Sequence, residues 1–541
     1  MPAKGPAFLL SIAMPPSHSW QVQPFELRHL LLGGKVIHAA IIAVILGIGF
    51  FIWMAMVAYA KVKPWLLRLL PELLSPSGKD ELFMRSRSVR WASGKDLVSL
   101  RLKTGMQREK EPRVVLGRQG KHLLAAEQGQ SVIVVGPTQT MKTSGLAIPV
   151  LLEWEGPVVA ASVKTDLLSR TIAWRTNPIP ALPSGKKHVW VYDPSGSTEY
   201  PKASWSPLAF AGTWTMAKSM AHAFVEAAYL DGGGVPGEFA FWYRTAEKLI
   251  APYLLAASLA GLSMEEVVRW IDGQEVGEVA KILELSGEKA ALTAAWANWN
   301  RDDRQRSSVY TTAETVLEPF ADPIVAMNSA RHEIDPRLLL DGGAHTLYVC
   351  APSSDQQRFR PLFVALIRQV LSTAFQLSFK TGRPLRPPLL VLLDEAANIA
   401  PLPELDSIAS TAAGHGIQLV TIWQDMAQIA ARYGGRAETV VNNHRCKIFL
   451  SGISDPTTLQ YVSTLAGEEL VKTTSFTVDA VGKRSRTETQ TAKKLLPTHS
   501  MRTLMPGEGV LIYGHLLPAR LRLRPYFTDK VLWDRASQPF A

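Results

Sequence analysis

Two short segments carry side chains that could bind a phosphorylated ligand and a metal ion. Residues 131–145 (SVIVVGPTQTMKTSG) form an apolar run and then a glycine turn that ends in Lys142 and Thr143. Residues 388–397 (PLLVLLDEAA) form a second apolar run, which ends in Asp394 and Glu395. A glycine turn presents backbone N–H groups to phosphate, and carboxylates bind Mg²⁺ and activate water. The two segments together predict a site that binds and hydrolyses ATP.

The turn follows the phosphate-binding pattern G-x-x-x-x-G-K-[ST] except at its second glycine, which is replaced by Met141. Lys142 is predicted to reach the β- and γ-phosphates of ATP, and Thr143 to bind Mg²⁺. A side chain at position 141 must point away from the nucleotide and loses the φ freedom of glycine. The sequence therefore predicts either weaker binding or a differently shaped loop. The predicted nucleotide-binding residues are Gly136, Pro137, Thr138, Gln139, Thr140, Met141, Lys142, Thr143 and Ser144.

Further polar residues follow other apolar runs and are candidates for the same site. Asp394 is predicted to enter the Mg²⁺ coordination sphere and Glu395 to activate the attacking water. Gln424 follows the run 417–423 and could sense the γ-phosphate or orient water, although it could also be an ordinary polar residue at a strand end. Asp193 and the run 164–166 are equally compatible with site residues and with loop residues.

The spacing of apolar runs predicts an α/β fold with a mostly parallel sheet covered on both faces. Residues 360–379 have apolar side chains at helical spacing and predict a crossover helix. Between 212 and 322 the pattern changes to helices alone, which predicts an all-α insertion. The nucleotide-binding domain would then comprise 111–211 and 323–541. The predicted strands are 131–135, 157–163, 188–193, 345–350, 389–394, 417–423 and 446–451.

Two basic segments near the C-terminus have simpler expected roles. Residues 472–498 are rich in Ser, Thr, Lys and Arg and are predicted to form a flexible loop that either contacts DNA phosphates or is merely solvated. Residues 520–527 (RLRLRPYF) alternate and predict an edge strand whose arginines protect the edge.

Residues 36–60 contain no Asp, Glu, Lys or Arg and predict a transmembrane helix rather than a buried core helix. As a helix they would extend roughly 37 Å, enough to cross a hydrocarbon core of about 30 Å. The more basic flank follows this run, so 1–35 is expected outside the cytoplasm, with a stem at 61–110 and the rest of the chain inside. Cys350 and Cys446 are predicted to be buried thiols, as expected in a reducing compartment. The net charge of +11 fits a phosphate-bearing partner but is not specific.

In the order of its motifs, the chain resembles the coupling proteins of type IV secretion and conjugation systems, which are TraG/TraD-like ATPases with a TraM-recognition-type C-terminal region. The resemblance implies a RecA/FtsK-like motor core in a homohexamer at the inner membrane. It also implies recruitment of a relaxase–single-stranded DNA complex, or of effector proteins, to components of the secretion channel. The resembling segments are GPTQTMKTSGLAIP (136–149), VVAASVKTDLL (158–168), VYDPSG (191–196), WSPL (205–208), LLDEAANIAPLPELDSIASTAAGHGIQLVTIWQD (392–425) and NNHRCKIFLSG (442–452).

Three departures from the family pattern leave alternatives open. Met141 replaces a glycine, and Ala412–Ala413 stand where such proteins often carry arginine, so Arg432, Arg436 and Arg445 are the remaining arginine-finger candidates. One predicted membrane helix stands where the family commonly has two. A nucleotide-binding membrane receptor with little hydrolysis is therefore a second hypothesis, and a chromosome-segregation DNA pump of the FtsK type is a more distant third.

Overall fold

A computed structural model of the chain describes residues 49, 89–102, 112–177, 187–231, 238–352, 354–478 and 484–540. All of these except residue 49 belong to the unit Arg87–Ala541. The predicted membrane helix (36–60), the segment 1–35 and most of the stem 61–110 lie outside the described residues. Residues 89–102 pack into the unit, with Leu97 and Leu100 fully buried.

An eleven-stranded sheet runs through the centre of the described unit, in the order β2-β1-β13-β12-β9-β3-β8-β7-β4-β6-β5. A separate two-stranded ribbon consists of β10 and β11. The strands are β1 (Val115–Gln119), β2 (His122–Ala125), β3 (Val132–Val135), β4 (Val158–Ser162), β5 (Val189–Tyr192), β6 (Thr346–Cys350), β7 (Leu389–Leu393), β8 (Ile417–Trp423), β9 (Cys446–Leu450), β10 (Glu468–Val478), β11 (Arg484–Lys494), β12 (Glu508–Tyr513) and β13 (Ala519–Arg522).

The seven predicted strands are the seven parallel strands of this sheet, β3 to β9, so the prediction of a mostly parallel sheet is confirmed. Their residues are almost entirely buried because helices cover both faces of the sheet. Four antiparallel strands, β12, β13, β1 and β2, extend the sheet beyond β9. Cys350 and Cys446 are free and buried, as predicted.

Helices connect the strands and fill the interval between β5 and β6. Those outside this interval are α1 (Ile148–Glu153), α2 (Thr165–Thr176), α11 (Gln356–Thr381), α12 (Ala396–Ile399), α13 (Leu405–Thr411), α14 (Met426–Tyr433), α15 (Ala437–Asn443), α16 (Pro456–Ala466), α17 (Thr498–Arg502) and α18 (Lys530–Ala536). Those within it are α3 (Trp214–Asp231), α4 (Glu238–Ala260), α5 (Met264–Asp272), α6 (Gly277–Leu285), α7 (Lys289–Trp299), α8 (Asp303–Leu317), α9 (Pro323–Ser329) and α10 (Pro336–Leu339).

The described residues between β5 and β6 form helices and turns without a strand, in line with the helical pattern of this interval. Ser263 and Glu266 cap the N-terminus of α5 reciprocally. Helix α11 contains the predicted crossover helix and is also the one described helix long and apolar enough to cross a membrane. Most of it is buried in the core, which identifies it as a core helix.

The predicted flexible loop at 472–498 is wrong, because β10 and β11 form a regular hairpin over most of that segment. Their eleven residue pairs run from Glu468 opposite Lys494 to Val478 opposite Arg484 without a bulge. The threonines of this segment favour strands. Both faces of the ribbon are exposed, so no apolar alternation revealed it in the sequence. A contact of this segment with DNA stays a prediction.

The predicted edge strand at 520–527 is also wrong in its position. Strand β13 lies inside the sheet, between β1 and β12. Arg520 lies over the ring of Trp91, and Arg524, just after the strand, is buried in ion pairs with Glu153 and Asp529. These arginines therefore pair with groups of the same unit instead of protecting an open edge.

Candidate nucleotide-binding site

Four neighbouring strands bring the predicted site residues to one edge of the sheet. Strands β3, β8, β7 and β4 are adjacent and parallel, so their carboxyl ends meet at that edge. The glycine turn follows β3, and Gln424 follows β8. The acidic pair follows β7, and Lys164 follows β4. Open α/β sheets bind ligands at this edge.

Lys142 lies inside the glycine turn, where its side chain bonds the loop itself. Its ammonium donates to the carbonyl oxygen of Gly136 and to that of Pro137, the latter at 2.6 Å. Only 7% of the residue is exposed. Burial lowers the pKa of Lys142 to about 8, against the opposing charge of Asp394. The ammonium thus has two backbone partners within the turn.

Asp394 lies directly beside the turn. The Thr143 hydroxyl donates to Oδ2 of Asp394 at 2.9 Å, and the Ser162 hydroxyl donates to the same oxygen at 3.2 Å. Asp394 is fully buried, and its Oδ1 has no partner among the described residues. Burial raises the pKa of Asp394, and these hydrogen bonds only partly oppose the shift. Ser162 was not predicted, although it ends β4 at the same edge.

Glu395 is held by two neighbours. Lys164 Nζ lies 3.0 Å from Oε1 of Glu395, and the side-chain amide of Asn398 donates to Oε2 at 3.3 Å. Burial lowers the pKa of Lys164, but the hydrogen bond to Glu395 and the surrounding carboxylates raise it by more. Lys164 therefore belongs to this cluster, an outcome that the sequence left open. Asn398 was not predicted, because it follows the acidic pair on α12 and no pattern distinguishes it.

Backbone strain is concentrated at this edge. Among the described residues, four other than glycine have positive φ, and three of them are Gln139, Met141 and Glu395. Met141 has φ of 65°, in the left-handed region that the missing glycine would favour. Such conformations cost on the order of 1–2 kcal/mol each and cluster at functional sites.

The Met141 side chain packs against the apolar cluster on one face of the sheet. It lies near Gly145 and Gly507. A Cβ built on Gly507 would lie 3.2 Å from Met141 Sδ. The glycine at 507 therefore leaves room for the methionine at 141.

Replacing Gly507 by alanine should disturb the turn through Met141. Gly507 has φ of +82°, so alanine costs about 1 kcal/mol from backbone strain alone. Its new methyl group also presses on Met141, and we expect a few-fold loss of nucleotide affinity, measured with a fluorescent ATP analogue. Gly287→Ala is the matched control, because Gly287 has φ of +72° and open space around it. An equal loss of affinity in both variants would contradict this role of Gly507.

Gln424 and Asp193 differ in their relation to the site. Trp423 pairs with Val135, so Gln424 stands beside the start of the turn, and its backbone N–H bonds Oε1 of Gln428. Asp193 follows β5, three strands from β7 in the sheet order. Its carboxylate accepts hydrogen bonds from Ser195 and Thr198 and so caps a local turn.

The three arginine-finger candidates lie in other surroundings. Arg436 pairs with Asp406 at 3.4 Å, and Arg445 lies 3.6 Å from Glu127. Arg432 is half-buried, and burial lowers its pKa. None of these contacts involves the acidic pair or the glycine turn.

Comparison with known proteins agrees with this architecture. Conjugal transfer protein TraG of Escherichia coli is 25% identical over 514 residues, which cover 84% of this chain and 78% of that protein. Protein VirD4 of Agrobacterium fabrum is 25% identical over 449 residues, which cover 76% of this chain and 61% of VirD4. The solved bacterial conjugative coupling protein TrwBdeltaN70 aligns with a TM-score of 0.61 at 18% identity, covering 81% of this chain and 92% of the other.

The described unit therefore shares the fold of that solved coupling protein. Residues 90–541 match the family model of type IV secretory system conjugative DNA transfer proteins, and the chain belongs to that family. It is thus a coupling protein of type IV secretion, as the resemblance in its motifs predicted.

Proposed function

We propose that this chain hydrolyses ATP with Mg²⁺ and that hydrolysis drives a DNA or protein substrate to the secretion channel. The observation that carries the proposal is the meeting of Lys142, Thr143, Asp394 and Glu395 at one sheet edge, with the Thr143 hydroxyl 2.9 Å from Asp394. A solved TrwB complex with ADP and Mg²⁺ shares the fold at a TM-score of 0.60 and 18% identity, and it supports the choice of ligand.

The side chains of the site suit a nucleotide with its metal. Thr143 and the unpartnered Oδ1 of Asp394 offer the hard oxygen ligands that Mg²⁺ prefers. When bound, Mg²⁺ would neutralise charge on the phosphate oxygens. Lys142 would exchange its loop carbonyls for the β- and γ-phosphates.

Glu395 is the proposed general base for the attacking water, and Gln424 would orient that water or sense the γ-phosphate. In the described structure Lys164 and Asn398 occupy both carboxylate oxygens of Glu395. Each of these oxygens keeps a second lone pair, through which Glu395 could accept a proton from water. Lys164 would face the added negative charge of the phosphates.

Beyond the site, the proposal includes the membrane and the assembly. Residues 36–60 would cross the inner membrane once, with the bulk of the chain in the cytoplasm. Six copies would form a ring that receives a relaxase–single-stranded DNA complex or effector proteins. The long run without Asp, Glu, Lys or Arg supports the membrane span, and membership of the family supports the ring and the partners.

The domain boundaries belong to the same proposal. A nucleotide-binding domain of 111–211 and 323–541 would carry an all-α domain of 212–322. The described residues between β5 and β6 include no strand, which supports this division.

Single-stranded DNA should stimulate the steady-state release of phosphate from ATP by this protein. Substrate contact would raise turnover if hydrolysis powers transfer, whereas a receptor with little hydrolysis would bind ATP without turnover. The strained Met141 favours that second function, because its turn lacks the flexibility of glycine. Measurement on the full chain in detergent, with and without an oligonucleotide, separates the two. Tight ATP binding with no turnover in either condition would contradict the motor.

A further inference from the structure

Charge is divided unevenly along this chain. Residues 212–322 contain 16 acidic and 9 basic side chains, a net charge of −7, whereas the other residues contain 31 acidic and 49 basic side chains, a net charge of +18. An acidic surface repels the phosphates of nucleic acid and attracts basic groups. The helices of this interval are therefore poorly suited to hold DNA and well suited to a basic protein.

A groove in these helices provides a defined place for such a partner. It lies between α5, the C-terminal end of α8 and the following turn Glu318–Ala321, and its cavity is about 370 Å³. Its floor is apolar and consists of Val268, Ile271 and Leu317. Its rim carries three carboxylates, those of Asp272, Glu314 and Glu318, and its lining contains no Lys or Arg.

Two of the three rim carboxylates have no side-chain partner among the described residues. Glu318 pairs with Arg358 at 3.2 Å, and that arginine also bonds Asp322. Asp272 and Glu314, by contrast, make no side-chain hydrogen bond or ion pair with the described residues. Glu266, also on α5, caps the helix. The groove thus combines an apolar floor with two available negative charges.

We propose that this groove, formed by Val268, Ile271, Asp272, Glu314, Leu317 and Glu318, binds a basic segment of a protein partner. An apolar side chain of the segment would lie on the floor, and flanking Lys or Arg side chains would pair with Asp272 and Glu314. Charge complementarity selects this occupant over an acidic peptide and over DNA. The inference extends the proposed function by naming a second site for protein cargo, and binding there needs neither ATP nor its hydrolysis.

The test uses the full chain in detergent and a fluorescein-labelled peptide with one leucine flanked on each side by two arginines. Fluorescence anisotropy should show saturable binding that weakens with added salt. Replacing the peptide leucine by serine should also weaken binding, because the floor is apolar. The double variant Asp272→Lys/Glu314→Lys should lower the affinity roughly tenfold or more, because it places positive charge on the rim.

Glu284→Lys supplies the matched control, since Glu284 is an exposed carboxylate on α6 outside the groove lining. It should leave peptide affinity unchanged. Equal losses of peptide affinity in Glu284→Lys and in the double variant would overturn the proposal. It would also be overturned if single-stranded DNA displaced the peptide from the unaltered chain and the double variant no longer bound that DNA. Lys142→Ala should keep its peptide binding. Failure at the groove is therefore distinguishable from failure of the nucleotide site.

Discussion

Lys142→Ala should reduce ATP hydrolysis by on the order of a thousandfold, because it removes the positive charge that would face the β- and γ-phosphates. The ammonium lies inside the glycine turn with only 7% of the residue exposed, and it is bonded there to two loop carbonyls. Nucleotide affinity should fall as well, because the charge acts on the bound triphosphate before reaction. Phosphate release and binding of a fluorescent ATP analogue measure the two effects.

Lys121→Ala is the matched control for this variant. Lys121 is exposed in the turn between β1 and β2, on the antiparallel extension of the sheet. Its loss should alter neither hydrolysis nor binding. If the Lys142→Ala protein hydrolysed ATP at the rate of the unaltered chain, the glycine turn would not be the phosphate site.

The parallel half of the sheet could be predicted because each of its strands is buried on both faces. Such strands appear in the sequence as apolar runs, as in Val132–Val135 and Leu389–Leu393, and the runs need no partner to be recognised. The polar residues directly after these strands are then candidates for the site, because ligands bind at the carboxyl ends of parallel strands. The sequence alone therefore predicts Lys142, Asp394 and Gln424 at one edge of the sheet.

The antiparallel strands could not be placed in the same way. β13 alternates arginine with apolar residues. An edge strand can show this pattern, and so can an inner strand whose long arginine side chains reach partners at the surface. Whether β13 lies at the edge or inside the sheet depends on its pairing with β1, some four hundred residues away in the sequence. The ribbon of β10 and β11 was missed for another reason, since it buries no face and leaves no apolar period to detect.

Details of the site also depend on contacts distant in sequence. The approach of Lys164 to Glu395 follows from the adjacency of β4 and β7, which the order of strands along the chain does not give. Likewise, the conformation of Met141 depends on Gly507, which is brought near it by the strands that follow. Residue types therefore predicted the chemistry of the site, and the sheet order determined its contacts.

Glu395→Gln should separate nucleotide binding from hydrolysis. Glutamine keeps the size of the side chain and can still bond Asn398 or Lys164, but its amide cannot accept the proton of an attacking water at neutral pH. We expect ATP affinity to stay within a few-fold of the unaltered chain and turnover to fall by about a hundredfold or more. The same two assays apply as for Lys142→Ala, and Glu284→Gln on α6 serves as the control.

The contrast between the two variants identifies what Glu395 does. If Glu395 only neutralised Lys164, the glutamine variant would leave an unpaired ammonium near the phosphates, and ATP would bind more tightly with little loss of turnover. If Glu395 is the base, turnover falls while binding persists. Turnover equal to that of the unaltered chain would exclude Glu395 as the base. The base would then have to be another group at this edge, where Asp394 is fully buried and already bonded to Thr143 and Ser162.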